Sequence, residues 1–73
     1  MEFPIYRKYP NHKSFFKITS DNRFEELKIT GKKVDHHEFV ASIFPDMQLI
    51  QDMIAMVGGY WELSSAEEFE GRL

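Results

Sequence analysis

The chain has 73 residues, 42% of them apolar and 29% charged, the mixture of one small globular domain with no room for a second. Cysteine is absent, which excludes disulfides, thiolate zinc sites, iron–sulfur clusters and thiol nucleophiles. The net charge of −3 is uneven: residues 1–33 hold eight Lys/Arg against four Asp/Glu (+4), and residues 34–73 hold one against eight (−7), so the halves either neutralise each other in the fold or show opposite charge to partners.

The first half reads as strands. "FPIYRKYP" is closed by Pro4 and Pro10 and suits an edge strand, where a missing N–H is tolerated. "NHKS" is a turn. "SFFKIT" alternates and is rich in strand formers. "SDN" is a turn of small polar residues that bond their own backbone. "RFEELKIT" is the next strand, and "GK" a tight hairpin turn in which Gly31 takes positive φ. "KVDHHEFVASIF" supports two readings. As a helix it would start at Asp35, with Glu38 completing a capping box. As a strand it continues the hairpin, which its Val, Ile and Phe content favours; a strand is expected.

"PDMQLIQDMIAMVGG" predicts the main helix, because Leu49, Ile50, Met53, Ile54 and Val57 recur at helical spacing. Asp46 is placed to cap its start and Gly58 to take the left-handed terminating position. "YWEL" is a short strand or extended link. "SSAEEFEGRL" carries two overlapping capping boxes, Ser64 to Glu67 and Ser65 to Glu68, and predicts a short helix pinned by Phe69 and Leu73. The expected fold of residues 1–73 is therefore a single α+β domain: a small antiparallel sheet of three to five strands packed against one main helix, with a short C-terminal helix.

The stretch "YRKYPNHKSFFKITSDNRFEELKITG", with its strand–turn–strand pattern and "FEEL" segment, resembles a family of short bacterial proteins with no assigned function. The resemblance implies a stand-alone bacterial cytoplasmic domain and carries over no activity, cofactor or catalytic residue.

The apolar runs, "MIAMV" among them, fall far short of the ~20 residues of a membrane span. "MEFP" has no basic leader, so no signal peptide is expected and a soluble cytoplasmic protein is. The stretch closest to chemistry is "VDHHEFV". On a strand, alternation puts His36 with Glu38 on one face and His37 with Asp35 on the other. Neither face reaches the three or four converging ligands of a stable metal site. No nucleophile motif, phosphate loop or paired-carboxylate frame accompanies the histidines, so a non-enzymatic chain without cofactor is expected, and a metal or proton-linked role for His36, His37 and Glu38 ranks last.

Alternation through the first three strands proposes a surface. Phe3, Ile5, Phe16, Ile18, Leu27 and Ile29 are expected on the core side beneath the main helix. Tyr6, Lys8, Phe15, Lys17, Phe24, Glu26 and Lys28 are expected opposite, interleaving aromatics with lysines. Three readings of that face compete. The C-terminal segment with Tyr60, Trp61 and Phe69 folds back over the rings as a second small core, since short domains need burial. Or Tyr6, Lys8, Phe15, Lys17, Phe24 and Lys28 form a protein interface, with another protein or in a homodimer. Or the rings stack single-stranded nucleic acid, against which the acidic second half argues.

Overall fold

A computed structural model describes residues 2–73. Its centre is a five-stranded antiparallel sheet, in spatial order β4-β3-β2-β1-β5, built from β1 (Ile5–Lys8), β2 (Ser14–Ser20), β3 (Arg23–Thr30), β4 (Lys33–Val40) and β5 (Glu62–Leu63). Two helices complete the α+β fold: α1 (Phe44–Ala55), 12 residues long, and α2 (Ala66–Glu70) near the C-terminus. Residues 33–40 are strand along their whole length, and the helix that follows starts only at Phe44. Gly31 has φ 60° and Lys32 does not share the positive value, the pattern of a type II′ turn, whose twist matches that of the strands it joins.

The ends of α1 differ from expectation. Its N-cap is Ile43, extended and without a side-chain cap, while Pro45 and Asp46 lie in the first turn. Proline there forfeits no intrahelical bond, and a carboxylate there meets the positive end of the helix dipole. The left-handed terminating residue is Met56 (φ 53°), whose N–H reaches the carbonyls of Asp52 and Met53. Gly58 (φ 79°) lies in the following 3-10 turn, Val57–Gly59, where a side chain would collide with the Tyr60 ring. At α2 half of the second predicted capping box is realised: Glu68 N–H donates to Ser65 Oγ at 3.2 Å, while the Glu68 carboxylate accepts through Oε1 from Ser64 Oγ at 2.9 Å rather than from the Ser65 N–H.

Two apolar cores form, one on each side of the sheet. On the α1 side Phe16, Ile18, Phe24, Ala41, Ile50 and Met53 are buried together. On the other side Phe15, Leu27 and Phe69 are buried, with Tyr6 and Ile29 packed against them. Ile5, Phe16 and Ile18 thus lie where expected, but Leu27 and Ile29 do not. The cause is a register shift between Ile18 and Ser20. At the turn Ser20 opposes Arg23; beyond the shift Ile18 opposes Phe24, Phe16 opposes Glu26 and Phe15 opposes Leu27. Residues opposite each other across an antiparallel pair share a face, so one extra residue in β2 moves every β3 side chain to the other face relative to β2. The two-residue turn Asp21–Asn22 has no residue at positive φ. Such a turn opposes the natural strand twist, and a bulge at Thr19 accommodates the mismatch.

The sheet is clamped mainly at β1 and β2. Arg7 donates from Nε to the Met53 carbonyl at 3.0 Å and from Nη2 to the Ile54 carbonyl at 2.8 Å. These carbonyls belong to the last turn of α1, which lacks a basic residue of its own and would otherwise leave acceptors unmet at its negative end. Partial burial lowers the Arg7 pKa from its usual value without threatening its charge. On the other face Phe69 packs against Tyr6, with ring centroids 6.0 Å apart, and Arg72 stands over the Phe15 ring at 5.0 Å.

Candidate functional site

The six residues expected to share an exposed aromatic and basic face do not form one. Tyr6, Lys8, Phe15 and Lys17 lie on the α2 side, whereas the bulge carries Phe24 and Lys28 to the α1 side. Phe15 is 0% and Phe24 6% exposed. Phe15 is sealed by Phe69, but the rest of the C-terminal segment does not cover this face as expected, since Trp61 packs against the α1-side core and Tyr60 is exposed; Phe24 sits in the α1 core beside Ile50 and Met53. Lys8 is also engaged: its Nζ donates to Glu68 Oε2 at 2.9 Å, and its side chain is only 12% exposed. That bond, followed by the one from Ser64, lowers the Glu68 pKa.

The exposed features of the molecule gather elsewhere, at β4. The sheet has two edges of different kinds. β5 is two residues long, too short to template another strand. β4 is eight residues long, pairs with β3 at every position without a shift, and contains no proline. Seven of its eight residues are exposed. Natural proteins usually blunt such an edge by shortening, bulging or covering it. Beside its C-terminal end lie Phe39, Val40, Ile43, Phe44, Met47 and Leu49, all well exposed, Phe44 to 72%.

Backbone polar groups alternate direction along a strand. The Ala41 N–H reaches inward to the Asn22 carbonyl at 2.7 Å. Odd-numbered residues of β4 therefore bond inward to β3, and Val34, His36, Glu38 and Val40 direct their N–H and C=O groups outward. The side chains of those four share the α2 side of the sheet, and those of Lys33, Asp35, His37 and Phe39 the α1 side.

Both histidines lie as alternation predicts. His36 Nε2 contacts Glu25 Oε1 at 2.7 Å, and its ring meets Phe69 edge-on at 6.4 Å. His37 faces the other way, directly opposite Glu26. Among the described residues no three His, Asp or Glu side chains converge as metal ligands. Glu25 and Glu38 stand directly opposite each other. Like charges so placed destabilise the strand pair. Glu25 is compensated by His36 and by Lys17 opposite it on β2, whereas Glu38 makes no ion pair among the described residues.

Comparison with known proteins adds no relative: no family model, no curated protein and no solved structure matches the chain. Among the described residues no helix is long and apolar enough to cross a membrane.

Proposed function

We propose that the chain is a non-enzymatic protein-interaction domain whose partner is a second copy of itself, joined antiparallel through β4. The carrying observation is the self-complementarity of that edge. A two-fold axis perpendicular to the sheet keeps each face continuous across the junction, so an even-numbered residue must meet an even-numbered one. With His37 on the axis, Val34 meets Val40 of the second copy and His36 meets its Glu38. All four residues with outward backbone groups then pair, in a continuous sheet. Two Val–Val contacts and two His–Glu contacts fall on one face, and each Glu38 gains an imidazole partner that it lacks within its own chain. The exposed apolar residues after β4 come to lie beside the second copy's hairpin turn.

Proline substitution tests this directly, because proline removes one N–H and is tolerated only where that N–H is not used within the sheet. Glu38→Pro removes an outward N–H and is expected to leave the monomer folded while abolishing dimers in sedimentation equilibrium. His37→Pro removes an N–H bonded to β3 and is expected to destabilise the monomer itself. A wild-type chain that sediments as a monomer at millimolar concentration overturns the proposal.

A further inference from the structure

Between α1 and the β3–β4 half of the sheet lies a hollow of about 270 Å³. We propose that it binds a small free organic cation, an alkylated ammonium with an apolar body, independently of how β4 pairs.

The lining carries the argument. Five rings contribute to it: Phe16, Phe24 and Phe39 from three adjacent strands, together with Tyr9 and Trp61. Their planes differ. Phe24 and Phe39 stack nearly parallel at 4.9 Å, Tyr9 meets Phe16 edge-on at 5.1 Å, and Phe16 is tilted 56° from Phe24. Rings turned to one another in this way form the walls of a cage, and ring faces attract cations through their quadrupole. Two carboxylates complete the lining, Glu26 from the floor and Asp46 from the first turn of α1, and no Lys, Arg or His lines it. Glu26 is half-buried and makes neither an ion pair nor a side-chain hydrogen bond among the described residues. An anion would be repelled. A neutral apolar guest would strip water from both carboxylates and give nothing in exchange. A soft cation satisfies rings and carboxylates together. The volume lies just below the usual range of small-molecule sites and suits a trimethylammonium group on a short chain.

Trp61 is the single tryptophan and lines the hollow, so its fluorescence reports occupancy. Choline and its neutral isostere 3,3-dimethylbutan-1-ol have nearly the same shape and differ in charge. Titration of the intact protein is expected to give a saturable change with choline at millimolar concentration and at least fivefold weaker binding of the neutral alcohol. Glu26→Gln, an isosteric change, is expected to weaken choline at least threefold while leaving the melting temperature within a few degrees. Equal binding of the two isosteres, or no choline response up to about 50 mM, overturns the proposal. Co-sedimentation with phosphatidylcholine vesicles in the absence of a response to free choline also overturns it, since the site would then belong to a lipid surface.

Discussion

The β1–β2 half and the β3–β4 half of this sheet are built from similar strand-forming residues and end up in opposite conditions. β1 and β2 are clamped. α1 lies over Phe16 and Ile18, Phe69 of α2 seals Phe15, Arg7 holds the last turn of α1, and Lys8 holds Glu68. β3 lends one fully buried residue to each core, Phe24 above and Leu27 below, with Ile29 packed at the margin of the second, and β4 lends no strand residue to either. The comparison teaches where a 73-residue chain spends its limited apolar area. It covers both faces of one half thoroughly and leaves the other half as an arm whose backbone edge and upper face stay accessible. Stability and candidate function are thereby separated in space: the closed half holds the fold, and the open half carries the unpaired edge and the hollow.

Deleting Glu25 is the most severe way to break this division. Phe24 would stay opposite Ile18, but every later residue of β3 would change faces, so Leu27 would oppose Phe16 and leave Phe69. Loss of the cooperative thermal transition and of dispersed amide resonances is expected. Deleting Thr19, by contrast, removes only the bulged residue and keeps Ser20 opposite Arg23 and Ile18 opposite Phe24, so a cooperative transition is expected to survive. A Glu25 deletion that melts like the wild type would remove the register from the explanation of the two cores.

Truncating an aromatic in each half sharpens the contrast. Phe69 is 2% exposed, and Phe69→Ala is expected to cost about 3–5 kcal/mol in urea unfolding, the range for a buried phenylalanine. Phe39 is 42% exposed and stacked on one side only, so Phe39→Ala is expected to cost about 1 kcal/mol. Equal losses would mean that the halves are not energetically distinct. Arg7→Met keeps the length of the stem but deletes the bonds to the α1 carbonyls. A loss of about 1.5–3 kcal/mol is expected, the worth of charged hydrogen bonds, accompanied by faster amide exchange in the last turn of α1.

Acid acts on the clamp more gently. Because the folded-state pKa of Glu68 is lowered by Lys8 and Ser64, its contribution is fully present above the unfolded carboxylate pKa and is lost as pH falls through the lower folded value. Loosening of α2 is therefore expected on the acid side of the ordinary glutamate range, seen as broadening of the Phe69 ring resonances. Glu68→Gln should remove that step, and an unchanged acid profile in the variant would show that the Lys8–Glu68 pair does not hold α2.

Much of the fold was legible in the residues because local rules governed it. Gly31 and Lys32 announced a hairpin, and the run to Val40 continued it as strand. Ser65 and Glu68 marked the start of α2, and the spacing of Ile50 and Met53 gave the buried side of α1. The ends of α1 were less legible: the helix starts at an uncapped Ile43, which leaves Asp46 inside the first turn, and Met56 takes the left-handed terminating position two residues before Gly58. The candidate site was less legible. The alternation of β4 correctly separated His36 and Glu38 from His37. That β4 would be an open edge depended on which strand filled the other end of the sheet, and the hollow depended on Tyr9 and Trp61 arriving from outside the long strands. Arg7, the residue that holds α1 to the sheet, carries no local signal, since its acceptors lie more than 40 positions away.

The sequence by itself determined the kind and order of the elements and the alternation within each strand, because turn chemistry, side-chain periodicity and capping act over a few neighbouring residues. Only the tertiary structure decided how the alternation of one strand is phased against the next. That phase is set by a single bulge beside a turn, and by whether burying Phe24 with Ile50 and Leu27 with Phe69 gains more than the alternative pairing. It turned an expected exposed aromatic face into two cores and left β4 as the long unprotected edge.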